Sequence, residues 1–170
     1  MNASSSVWDP LVRIIHWALV LAFTLNYFIL EPGNDSHQII GYCAVALVLT
    51  RVVWGVIGST NARFSSFVRG PGAVIAHLRE FKQPPESGHN PAAGWMILLL
   101  LILVASLGVT GFLMQEVDYF WGNQTLEVIH SWMADTLFVA VLIHIAAAVI
   151  FSIIWRRNLI RSMVTGKYGK

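Results

Sequence analysis

Two histidines, His130 and His144, lie fourteen residues apart in the last apolar stretch of the chain, residues 126–155. Fourteen residues are two heptads, so in a helix of a left-handed bundle both imidazoles take the same position on one face, directed into the bundle. A rise of about 1.5 Å per residue separates them by about 21 Å, most of a bilayer. One helix with an imidazole near each membrane face can hold two metal centres stacked across it. The rest of the chain must supply the second ligand of each.

The elements that could do so are apolar spans. The 170 residues are 56% hydrophobic and 12% charged, and the mean hydropathy is +0.64. These values lie outside the range of a soluble globular domain and imply an integral membrane protein, read as one domain over residues 1–170. Four spans are expected, at residues 11–30, 37–57, 92–114 and 126–155, forming an all-α four-helix transmembrane bundle. Asp9-Pro10 and Asn90-Pro91 are cap-plus-proline signals for the first and third spans, and Asp35 or Ser36 caps the second. Residues 58–90 form one long polar loop, with a short amphipathic piece at 73–81 read as a surface helix. In the third span Ala105, Ser106, Gly108 and Gly111 recur at spacings of three and four, leaving room for a close neighbour, either a helix or a flat cofactor.

Charge sets the orientation. Four spans place both termini and the long loop on one side, and all eleven Lys and Arg residues fall on that side or in a span near it. The opposite turns carry Glu31, Asp35, Glu116, Asp118 and Glu127 and no basic residue. By the positive-inside rule both termini are cytoplasmic. Trp8, Trp54, Trp95 and Trp155 then mark the inner boundary and Trp121 and Trp132 the outer one.

Ionisable residues inside spans mark function by default, and the ones drawn on here are four histidines. Topology pairs them by depth. His16 on the first span and His144 on the fourth lie near the inner face, and His37 on the second and His130 on the fourth near the outer face. Taken singly, a histidine near a helix end is an interfacial residue satisfied by water. Four at paired depths, two of them spaced by two heptads, are better explained as ligands. Two neutral imidazoles on facing helices, with no thiolate or carboxylate beside them, suit haem iron with both axial positions filled, whereas zinc would need two more ligands. The chain has one cysteine, Cys43, and no Cys-x-x-Cys-His, so the haem would be non-covalent. Gly41, one turn after His37, leaves room for a porphyrin. Arg13 and Arg51 near the inner face could pair with haem propionates, or snorkel to the headgroups. His77 and His89 in the loop are read as solvated, and Met133 as packing.

The segment Val7-Trp8-Asp9-Pro10-Leu11-Val12-Arg13-Ile14-Ile15-His16-Trp17 resembles the start of the bacterial cytochrome b561 family, which includes the cytochrome b subunits of nickel-iron hydrogenases. The same resemblance extends to His37-x-x-x-Gly41, Arg51-x-x-Trp54-Gly55, Gly88-His89-Asn90-Pro91 and the His130/His144 pair, over nearly the whole chain. It implies a four-helix bundle with two b haems, ligated by His16 with His144 and by His37 with His130. That agrees with the pairing by depth.

The expected function is electron transfer across a bacterial inner membrane, between the quinone pool and a periplasmic partner such as a c-type cytochrome or a dehydrogenase subunit. A quinone is expected near Arg13, Trp17, Arg51 and Trp54. Two alternatives stand beside it. The family includes a superoxide oxidase that passes electrons from superoxide to ubiquinone, but five outer carboxylates would repel that anion and attract a basic protein. A haem-free scaffold or transporter would be colourless. Membrane lipid is an expected contact, nucleic acid is not, and a homodimer or a larger complex is left open.

Overall fold

The computed structural model describes residues 8–70, 72 and 91–167. The expected surface helix at 73–81, the Asn90 cap, His77 and His89 lie outside the described residues. The described residues are all-helical, and four helices are long and apolar enough to cross a membrane.

Helix α1 is Pro10–Phe28 and α2 is Asp35–Ile57. One turn, α3, follows at Phe64–Phe67. Helix α4 is Pro91–Glu116, α5 is Gln124–Ile154, and a short α6 at Leu159–Thr165 completes the order. The starts of α1, α2 and α5 have a local cause. The Asp9 carboxylate accepts from the backbone N–H of Leu11 at 2.9 Å and of Val12 at 3.3 Å, with Pro10 as the first helical residue. Helix α2 begins two residues before the expected span, and its cap is Asn34, whose side chain accepts from His37 N at 2.7 Å. Asp35 and Ser36 are therefore the first residues of the helix rather than its cap. Asn123 caps α5 in the same way, accepting from Leu126 N at 3.0 Å. Gly33 and Gly122 stand at φ +78° and +67° in the two turns, a region where a side chain would be strained.

Close backbone packing joins α1 to α2, α2 to α4 and α4 to α5. Gly108 permits the α2–α4 approach, since a Cβ there would meet the Val45 side chain. The small-residue stripe thus serves a helix neighbour at Gly108. Helix α6 folds back on the start of α1. Trp8 Nε1 donates to Ser162 Oγ at 2.9 Å, and Arg13 Nη1 to Val164 O at 2.8 Å. These contacts bring both chain ends to one end of the bundle, called here the terminal end, with the two short turns at the other. The outward surfaces are apolar: Ile153 is 72% exposed and Val56 67%. In water such exposure would be costly, and in a bilayer it is the solvated face.

Candidate functional site

Helix α5 is not among the close backbone neighbours of α1 or α2, yet its two histidines reach theirs. The His16 and His144 ring centroids are 6.3 Å apart, with the planes inclined at 52°. Those of His37 and His130 are 6.4 Å apart, inclined at 59°. The first pair lies toward the terminal end and the second at the turn end. An imidazole nitrogen binds a metal at about 2.0 Å and lies about 1.1 Å from its own ring centroid, so two opposed rings sharing one ion stand about 6.2 Å apart. Both pairs have the separation that one ion between facing nitrogens would impose.

The donor set fits a haem. Among the described residues no group of three or more His, Cys, Asp or Glu side chains converges on a metal-sized space, so each pair offers two protein ligands, and the macrocycle would supply the remainder. His16 Nδ1 and His37 Nδ1 are buried without a hydrogen-bond partner among the described residues. A buried ring nitrogen in that state has bonding capacity open to a further partner such as a water or an ion.

His130 is held from behind. Thr110 of α4, only 9% exposed, places Oγ1 2.7 Å from His130 Nδ1. The hydroxyl is 3.1 Å from both the Ser106 and Leu107 carbonyls and directs its own hydrogen to them. Its lone pairs then accept from a protonated Nδ1, which leaves Nε2 of His130 as the free ligand nitrogen. Gly111 adjoins the same ring, where a Cβ would meet His130 Cε1 at 3.7 Å. On the opposite side Asn26 Nδ2 donates to His37 O at 3.3 Å and fixes the start of α2 against α1. A Cβ on Gly41 would meet that Asn26 amide at 3.7 Å, so Gly41 faces α1 at this level.

The two arginines are placed differently from each other. Arg51 is 4% exposed, with its guanidinium 4.8 Å from the Phe64 ring centroid and Nη1 buried without a partner among the described residues. Phe64 can lie there because Gly55 has no side chain to obstruct its ring. Arg13 spends one nitrogen on Val164 O, while its Nε is buried without a partner among the described residues. Trp17 Nε1 donates to Met163 O at 3.4 Å. Helix α6 therefore contacts Arg13 and Trp17, where a quinone was expected, and Trp17 stays exposed.

Two residues escaped the sequence reading. Thr110 carries no charge and sits in a span of apolar residues, so nothing marked it. Asp135 is a further ionisable residue within the last span, and its Oδ1 accepts from the Tyr27 hydroxyl at 2.9 Å. A complete count of intramembrane carboxylates would have found it.

Comparison with known proteins places this arrangement. Residues 7–166 match the family model described as prokaryotic cytochrome b561. A probable Ni/Fe-hydrogenase B-type cytochrome subunit of Bradyrhizobium diazoefficiens is 26% identical, over 95% of this chain and 84% of its own length. The proteins of the same description from Rhizobium leguminosarum bv. viciae and Rhodobacter capsulatus are 25% and 22% identical, over 95% and 97% of this chain and 87% and 81% of their own lengths. No solved structure matches. The chain belongs to the prokaryotic cytochrome b561 family and is a membrane b-type cytochrome of electron transfer.

Proposed function

We propose that the protein holds two b haems, one between His16 and His144 and one between His37 and His130, and passes electrons between the quinone pool and a periplasmic redox protein. The observation that carries this reading is the pair of ring separations, 6.3 and 6.4 Å, at two levels of one helix. Haem iron with both axial positions filled supplies single-electron transfer and has no open site for oxygen. The residues of the chain fix the rest. The four imidazoles set the spacing of the two centres, about 21 Å along α5. Thr110 keeps the His130 proton on Nδ1. Arg13 and Arg51, each with a buried nitrogen that has no partner among the described residues, are suited to propionates as charge-assisted donors.

The termini are read as cytoplasmic and the turn end as periplasmic, in the inner membrane of a bacterium. The turn end carries Glu31, Asp35, Glu116, Asp118 and Glu127 without a Lys or Arg. A surface of one sign steers a partner of the other, so a basic c-type cytochrome fits there. The relatives' description supports a second arrangement, in which the chain is the membrane subunit of a larger redox complex such as a hydrogenase. Their alignments run over 210 to 213 positions against 170 residues here, so the relatives carry residues that this chain lacks, and its partner need not be theirs.

Rapid mixing tests the reading. Reduced protein in nanodiscs should be oxidised quickly by a basic c-type cytochrome, at a rate that falls as salt is raised. Fast haem reduction by superoxide, with no response to the cytochrome, would overturn it in favour of superoxide oxidation.

A further inference from the structure

We propose that Tyr27 and Asp135, at the seam between α1 and α5, form the head-group site for the membrane quinone. The proposal rests on the quinone-linked reading above and locates the site that it requires.

An aspartate within a membrane helix is costly, and its short side chain cannot reach far toward water. Asp135 is nevertheless exposed, and among the described residues the Tyr27 hydroxyl, at 2.9 Å, is its one hydrogen-bond partner. A carboxylate has about four lone-pair positions, so most of its capacity is unused. Its direction is set by the helix. Asp135 is five residues from His130 and nine from His144, rotations of about 140° and about 180°. It therefore points away from the two imidazoles of α5, toward the bilayer. Its depth is set by Trp132, 74% exposed and three residues earlier, which marks the boundary at the turn end. Along the axis Asp135 is about 7.5 Å from His130.

The surroundings are flat and apolar. Tyr27 stacks on Phe138 with centroids 4.9 Å apart and planes at 14°, and on Phe23 at 5.5 Å and 25°. Phe28 meets Tyr27 and Phe138 edge-on, at 4.9 and 5.9 Å. A quinone head group is a flat ring with carbonyl oxygens and a hydrocarbon tail. It needs an aromatic surface for its face, open access from lipid and, in its reduced quinol form, an acceptor for its hydroxyl, which the free lone pairs of the Asp135 carboxylate can supply. Here the carboxylate supplies the polar contact, held in place by the Tyr27 hydroxyl, the aromatic rings the surface, and the bilayer the approach.

Other places fit less well. In the neighbourhood of Arg13, Trp17, Arg51 and Trp54, Arg13 and Trp17 each spend a donor on a backbone carbonyl of α6, and Arg51 is only 4% exposed. The similar pair Tyr42–Glu116, at 3.0 Å, uses the last residue of α4 and so lies at the very end of that helix. The rival account of Tyr27–Asp135 is a clasp that merely joins α1 to α5.

Photoaffinity labelling with an azidoquinone separates these. The haem-loaded protein in nanodiscs is irradiated with the probe, with and without unlabelled quinone, and the labelled peptides are mapped. Competed labelling is expected on residues 23–30 and 128–139. Asp135→Leu and Tyr27→Phe should each reduce it by about tenfold while the haem spectrum is unchanged. Competed labelling elsewhere, or labelling that neither variant alters, would overturn the site and leave the quinone-linked function standing. No competed labelling in protein with full haem content would overturn both.

Discussion

Thr110 Oγ1 stands 2.7 Å from His130 Nδ1 with its own hydrogen directed at backbone carbonyls, an arrangement that favours the tautomer protonated at Nδ1, and no residue among those described stands so against Nδ1 of His37 or His16. An imidazole that donates from Nδ1 to an oxygen is a more electron-rich ligand and favours the oxidised metal. Thr110→Val should therefore leave haem content unchanged, raise the midpoint potential of the His37/His130 centre and leave the other centre where it was. A redox titration followed by haem absorbance measures this, and equal shifts at both centres would argue against a local hydrogen bond. The histidines were legible in the sequence because topology gives each a depth, and because the resemblance gives the same pairs. Thr110 was not legible, since a threonine whose hydroxyl bonds the carbonyl a turn earlier is at home in any apolar helix. Asp135 was legible in principle, because a carboxylate among apolar residues is conspicuous, and only its partner Tyr27 required the fold.

At the scale of elements, the spans followed from apolar runs and from Asp9-Pro10, a local signal that acts through the backbone of its own turn. Partial burial raises the Asp9 pKa, but the hydrogen bonds from the Ser59 hydroxyl and the Val12 and Leu11 N–H groups outweigh it and hold the carboxyl below its ordinary range. A pKa lower in the folded than in the unfolded protein stabilises above the unfolded value, and this is lost as pH falls through the folded one. Asp9→Ala should cost about 1 kcal/mol at pH 7, and the gap from the unaltered protein should narrow below about pH 4. Thermal unfolding in detergent at both pH values checks it. A gap that persists in acid would show that the ionised cap is not its cause. Helix α6 was not anticipated, because seven residues have little intrinsic helicity, and its place depends on the contact between Trp8 and Ser162, 154 residues apart.

For the whole molecule, α5 is the element on which both candidate centres depend, and the α1–α2–α4–α5 order of close packing leaves its histidines facing two helices whose backbones are not among its close neighbours. An even number of spans made the co-location of the termini legible, and the 6.3 and 6.4 Å separations are what the structure adds. The most direct measurement is haem stoichiometry by pyridine haemochrome, in the purified protein and in four single histidine-to-alanine variants. Two haems per chain are expected. His37→Ala and His130→Ala should lose the same spectral component, and His16→Ala and His144→Ala the other. A crossed pattern of losses, or a haem-free protein, would contradict the assignment.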